Sequence, residues 1–483
     1  MLSPIIRAFL NALSNRRRPA RRRSPLRRHR RSVPQVEYLE DRTVPATFLV
    51  NTTLDSVDAN LGDGLAQDSQ GRTSLRAAIM EANALSGADT VQLPAGTYLL
   101  TLAGADENGG STGDLDIRDE LTITGAGAAT TIVDGNGLDR VFNNFFSTAT
   151  LSGLTVRGGQ SPAGGSLSLS SGGGIFNERG TLTLDQVTLT QNRTGSGNFG
   201  GYGGGIYSVL GTMTITDSLI AGNTTSDGFT VGGQGGGIAA NSSVITISNS
   251  VIRDNRTGTG GSTAGDGGGI YVENGNPPAP GILTITQTQI LNNATGGDDG
   301  EGGGIQLRAN VDMVLEDSLL EGNTAFHGGG IIVGNGTAKR IVNTTIRNNT
   351  STGGEGGGGI HNEVGVIELI SGTTISENQA LNVTSPISGG GGIFSQGRID
   401  LIINSTISGN MVTRQSTSSQ SGVGGGILND DDIGQIINTT IANNTALDGG
   451  GLFNSTVGNI TQVLGNTIIA DNTALNTSNE DFV

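Results

Sequence analysis

One spacing is written ten times into this chain. A Gly-Gly-Gly-Ile string or a near copy ends at Ile175, Ile206, Ile238, Ile270, Ile305, Ile331, Ile360, Ile393, Ile427 and Leu452, and an Asn follows each one, from Asn192 to Asn472. Aligned on that Asn, the residue three positions earlier is aliphatic in every copy, from Leu189, Ile220 and Ile252 to Ile469. The residue eight earlier is aliphatic too, from Leu184 and Ile215 to Leu464. Five earlier stands Val187 in the first copy, then only Ser or Thr. Inward positions two apart mark strands with one buried face, and an offset of three breaks that parity, so the chain must bend there. Each unit is therefore read as three short strands and three corners: a GGGI strand, a Leu-x-Leu strand and a Thr-x-Ile strand. Stacked in register at ~4.8 Å per coil, such units make a parallel β-helix, and ten coils span roughly 48 Å. The hand expected is right, as in nearly all parallel crossovers.

The conserved spacing also assigns polar roles. An Asn amide offers two donors and an acceptor, so a stacked Asn column can bond along the axis and to the bent backbone. The Ser/Thr column does the same with hydroxyls. Glycines supply positive φ and close backbone approach at the tightest corner. One column is irregular. Ten before the Asn it runs Leu182, Met213, Ile245, Leu283 and Met313, then Lys339, Glu368, Asp400, Gly434 and Gln462. Either that edge of the core becomes wet toward the C-terminus, or the later coils bend differently.

Composition fits a narrow aliphatic stack. Gly is 82 of 483 residues without a period of three, hydrophobic residues are 34%, and aromatics are 4%. Cys is absent, which excludes disulfides, thiolate metal sites and cysteine nucleophiles. Charge is sharply divided. Residues 1–42 carry 12 Arg against 3 acidic residues, while the remainder has 15 basic and 40 acidic residues. An acidic body repels phosphates and argues against a nucleic-acid partner. No apolar run approaches the ~20 residues of a membrane helix. The expected domains are a disordered Arg-rich leader (1–46), an N-terminal cap with the first irregular coils (47–170) and the ten-unit repeat (171–483). Within 71–85, Leu75, Ala78, Ile79, Ala82 and Leu85 share one helical face, with Thr73 or Ser74 available as cap. A lone amphipathic helix before a run of strands suits a lid over the end of the stack.

Three strings carry family resemblances. Val36-Glu37-Tyr38-Leu39-Glu40-Asp41-Arg42-Thr43-Val44-Pro45 resembles the VE-x-LE-x-R-x-x-P leader of planctomycete surface proteins, which implies export. Ser74-Leu75-Arg76 with Ala78 and Ile79 resembles the CSLREA domain, which precedes β-helical surface domains; Thr73 and Ala77 depart from its Cys and Glu. The repeats, with Gly391-Gly392-Ile393 and Asn404-Ser-Thr-Ile-Ser-Gly-Asn410, resemble the polymorphic outer-membrane and choice-of-anchor β-helix proteins over roughly residues 47–480. Together they imply a secreted or cell-surface protein with an adhesive or structural role. An open stack end exposes a pairing edge, so self-association through the C-terminal end is a further expectation.

Function is expected on the connectors. The stretch from Ile to Asn is nearly constant, whereas the connector from Asn to the next Ile varies, and variable loops on a constant frame make surfaces. Carboxylates gather there: Asp227, Asp266, Asp298, Asp299, Glu301, Glu355 and Asp448. Asp298, Asp299 and Glu301 are the candidate Ca²⁺ ligands, since hard oxygens suit that ion; the alternative is solvated acidic loops. Beyond the leader the only histidines are His327 and His361, in adjacent units beside the GGGI corner, a placement that allows them to be neighbours. The plain expectation for each is a surface or corner histidine. Asp430-Asp431-Asp432 occupies an ordinary corner. Binding or adhesion through stacked loops is the main expectation, with polysaccharide or another cell-surface component as partner. The alternative is a polysaccharide lyase or glycoside hydrolase acting on acidic polysaccharide on the same scaffold. A groove holding several convergent carboxylates with Arg or His separates the two.

Overall fold

A computed structural model describes residues 45–475, apart from 106, 165, 261–263, 276–279, 385–386, 415–421 and 456–458. Two units divide the chain, Met1–Arg42 and Thr43–Val483, and all described residues fall in the second. The expected Arg-rich leader lies outside the described residues, save for Pro45 and Ala46.

The architecture is an all-β, right-handed parallel β-helix with three long parallel sheets of 15, 12 and 13 strands. The 12-stranded sheet contains the GGGI strands (Ile175–Glu178, Ile206–Val209 and their copies) and is called the GGGI wall. The Leu-x-Leu strands form the 15-stranded wall and the Thr-x-Ile strands the 13-stranded one. Register follows the sequence columns: Ile220 pairs with Ile252, and Ile252 with Ile290. These side chains are buried in one continuous core that runs from Phe48 to Leu452.

Corner geometry explains the glycines and asparagines. The first Gly of the GGG string has positive φ, as at Gly267 (φ 64), a region that costs an L side chain energy. The second must be bare because coils stack there: a Cβ on Gly268 would lie 2.5 Å from the Gly303 carbonyl oxygen. The Asn column is a buried ladder. Asn255 Nδ2 donates to Asn293 Oδ1 at 3.0 Å, and Asn293 Nδ2 to Asn323 Oδ1 at 3.0 Å and to the Ile252 carbonyl at 3.0 Å. In the Ser/Thr column, Ser218 Oγ accepts from the Val187 amide (3.0 Å) and donates to the Thr216 carbonyl (2.7 Å).

Two features depart from the three-strand, constant-offset expectation. The column ten before the Asn does not become a wet edge; the later coils bend differently. A bulge between Met313 and Val314 pairs Met313 with Ala338 and Val314 with Arg340, which skips Lys339. Ala338, Ile367, Ile399 and Ile433, eleven before their Asn, fill the core instead and are buried. The displaced Lys339 pairs with Glu368 on the surface at 2.7 Å. From Thr324–Ala325 onward, a short fourth strand follows the Asn and builds a six-stranded sheet with its own apolar cluster of Ala380, Val383, Val412 and Ala446.

At the N-terminal end, helix α1 (Leu75–Ala84) packs Leu75, Ala78, Ile79 and Ala82 into the core. Ser74 Oγ caps it by accepting from the Ala77 amide at 3.0 Å. Arg76 is fully buried. Its Nε pairs with Asp55 Oδ1 (2.6 Å), and its other nitrogens donate to the carbonyls of Gly110, Gly113 and Asp114. The arginine of the Ser-Leu-Arg string is thus a staple between cap and first coils. Among the described residues, no helix is long and apolar enough to cross a membrane.

Candidate functional site

Strand alternation gives the GGGI wall an outer face. One residue after each inward Ile, the chain presents Phe176, Tyr207, Ala239, Tyr271, Gln306, Ile332, His361 and Phe394 outward, in register. Phe176 and Tyr207 stack at 5.6 Å between centroids, and Tyr202 of a connector sits 5.5 Å from Tyr207 and 5.8 Å from Tyr271. Two residues further along lie Glu178, Val209, Asn241 and Glu273, with Arg308 directly after the strand Ile305–Leu307. A second column reaches the same face. The residue before each positive-φ glycine (Tyr202, Gln234, Asp266, Glu301, His327) belongs to a connector, and the bend turns it alongside the wall. One such residue arrives per coil, about 4.8 Å from the next along the axis.

These columns meet in a cleft of about 300 Å³, lined by Tyr202, Val231, Gln234, Ala264, Asp266, Tyr271, Glu273, Asp299, Glu301 and Arg308. An adjoining hollow of about 360 Å³ shares Glu273 and Arg308 and continues to Gly334, Asn335, Glu363 and Val364. The pair forms an elongated furrow across successive coils.

Asp266 is the central group. It is 7% exposed. Its amide donates to Gln234 Oε1 at 2.7 Å, and its Oδ1 accepts from the Glu301 amide at 3.1 Å. No described residue donates to Oδ2, and the residue lines the cleft. Burial, reinforced by the charge of Glu301, pushes the Asp266 carboxyl up to about 7 against a partial counter-effect from Arg308. It is therefore about half protonated at neutrality. Glu301 Oε2 accepts from Gln306 Nε2 (2.8 Å) and lies 3.5 Å from Arg308 Nη1. Tyr271 donates its hydroxyl to Glu273 Oε2 at 2.8 Å, and Asn241 Nδ2 donates to Glu273 Oε1 at 2.7 Å. Burial first, then the Glu273 charge, raises the Tyr271 phenol well above its ordinary value, so it remains a donor.

The carboxylates expected on connectors are only partly brought together. Asp266, Asp299 and Glu301 share the cleft, whereas Asp298 is exposed and does not line it. Among the described residues, no three His, Asp or Glu side chains converge as a metal-binding group. Asp227 instead accepts from the Thr259 amide at 2.7 Å and tethers two loops. The histidines are neighbours, 6.3 Å between ring centroids. His361, however, is neither a surface nor a corner residue. It is a buried strand residue stacked on Phe394 at 4.8 Å and bonded to Gln396 Oε1 at 3.1 Å, and burial pushes it down to about 4.

Placing function on loops alone overlooked Tyr271, Glu273, Gln306 and Arg308, which belong to or directly follow wall strands. Their signal was present: aligned on the GGGI isoleucine, the columns one and three residues later change chemistry from coil to coil.

No family model matches this chain, and no curated protein matches it in sequence. Solved structures with a similar fold include the mannuronan C-5 epimerase A-module of Azotobacter vinelandii, at 17% identity and TM-score 0.36, covering 88% of this chain and 97% of that one. The family 28 exopolygalacturonase of Yersinia enterocolitica is 10% identical with a TM-score of 0.42, covering 88% and 78%. The Agl-KA catalytic domain is 15% identical with a TM-score of 0.44, covering 91% and 70%. What the cleft does must be argued from its own residues.

Proposed function

We propose that this protein acts on polysaccharide outside the cell, binding a glycan strand along the outer face of the GGGI wall and hydrolysing it with Asp266 as general acid. The observation that carries this reading is a nearly buried carboxyl, raised to about 7 by burial, with one oxygen that has no donor among the described residues, in an elongated cleft lined by further carboxylates. Glycoside hydrolysis needs such a pair: one carboxyl donates a proton to the leaving oxygen, and a carboxylate acts as base or nucleophile. Glu301, on the adjacent coil and oriented by Gln306 and Arg308, is the partner the register favours. The leader resemblance at Val36–Pro45 supports action outside the cell.

The test is a panel of neutral, amino and uronic glycans, assayed for new reducing ends and for the ultraviolet absorbance of an unsaturated end. The expected result is reducing ends without that absorbance, abolished in Asp266→Asn. Unsaturated product would replace hydrolysis by elimination. Glycans that bind equally to both forms and stay intact would return the protein to the adhesive reading.

A further inference from the structure

We infer that the cleft selects polysaccharides carrying free amino groups and turns polyuronates away; this deepens the glycan reading above and rests on it. Asp266, Glu273, Asp299 and Glu301 line the main cleft, and Glu363 lines the hollow beside it. Arg308 is the single basic residue in either, and it lies 3.5 Å from Glu301. Beyond residue 42 the body has 15 basic and 40 acidic residues, so the long-range field has the same sign. A uronate polymer would place a carboxylate on each sugar against this surface, and like charges at close range repel. An ammonium brings three donors and a positive charge. The acceptors to receive it are at hand: Glu273 and Glu301 line the cleft, and beside them Asp266, only 7% exposed, leaves Oδ2 without a donor among the described residues. Tyr202 and Tyr271 supply apolar ring surface alongside.

The experiment uses the unaltered full chain, so that the Asp266 carboxyl is present, with calorimetric titration of three probes whose integrity is checked by mass spectrometry after each run. These are an oligoglucosamine, its N-acetylated counterpart and an oligogalacturonate with and without Ca²⁺. The amino form should bind roughly tenfold more tightly than the acetylated form, as expected for two or three partly screened charge pairs. The preference should shrink as salt rises, and the uronate should not bind. Glu363→Gln, made in the otherwise unaltered chain, should cut the preference about threefold, in line with the loss of one such pair. Equal affinity for amino and acetylated probes would overturn the inference, as would uronate binding of similar strength in either calcium condition. An oligolysine that binds as tightly as the amino glycan would also overturn it, because the cleft would then read charge without reading sugar. If the amino probe binds with this preference but the unaltered protein leaves it intact, hydrolysis fails and the specificity stands. If glycans are cleaved without regard to charge, the specificity fails and hydrolysis stands.

Discussion

Asp266→Asn should make this protein more stable as pH rises while removing its activity. The Asp266 carboxyl has a value of about 7 in the fold against an ordinary 3.8. The folded state therefore holds a proton that the unfolded chain gives up in the interval between. A raised carboxyl contributes its full stability below the ordinary value and loses it as pH climbs toward the folded value. Three units correspond to about 4 kcal/mol, an upper limit because local relaxation and water entry reduce it. Asn keeps the acceptor for the Glu301 amide and carries no ionisable group. The difference between variant and parent should thus be small near pH 4, grow by at most about 1.4 kcal/mol per pH unit, and level off above about pH 7. Urea midpoints of both proteins across that window measure it. Asp116 and Asp139, which burial also raises to about 7, have no part in the Asp266 site and cancel in the comparison because both proteins have them. A midpoint difference that stays constant from pH 4 to pH 8 would show that Asp266 is not held protonated by its surroundings, and the assignment of the general acid would go with it.

Three further outcomes are expected. Asn323→Ala removes four hydrogen bonds, to Asn349, Ile290 and twice from Asn293, and should cost about 3–6 kcal/mol because buried donors are orphaned; Asn472→Ala, in the last described coil where fraying readmits water, should cost less, as read by hydrogen exchange of the Asn293 and Asn444 amides. Phe229 is 80% exposed and lies two residues before Val231, which lines the cleft; Phe229→Ala should weaken glycan binding about three- to tenfold by losing a stacking surface and leave the melting temperature unchanged. Chelation should leave melting unchanged too, since Asp298 does not join Asp299 and Glu301 at the cleft; a fall in the melting temperature would restore Ca²⁺ as a structural ligand of those loops.

The scaffold was legible and the site largely was not, for one physical reason. A core position in a stacked coil meets its own kind above and below, so each coil receives the same demand and the column repeats: Ile220, Ile252 and Ile290, or Asn255, Asn293 and Asn323. Repetition is what an alignment of units detects. A functional face has the opposite requirement, because a cleft needs unlike groups side by side. Tyr202, Gln234, Asp266, Glu301 and His327 occupy one column with four chemistries, and Phe176, Tyr207, Ala239, Tyr271 and Gln306 occupy another. Such columns look like noise beside the aliphatic ones, although the same register makes their members neighbours. The bulge at Lys339 was hidden in a related way, since one inserted residue shifts the apolar position by one and the fixed offset then reports a charge. The site was therefore encoded in the columns flanking the constant ones. Once the GGGI isoleucines define the coil, the residue before the glycine turn and the residues one and three after the isoleucine identify which unlike side chains must share a face.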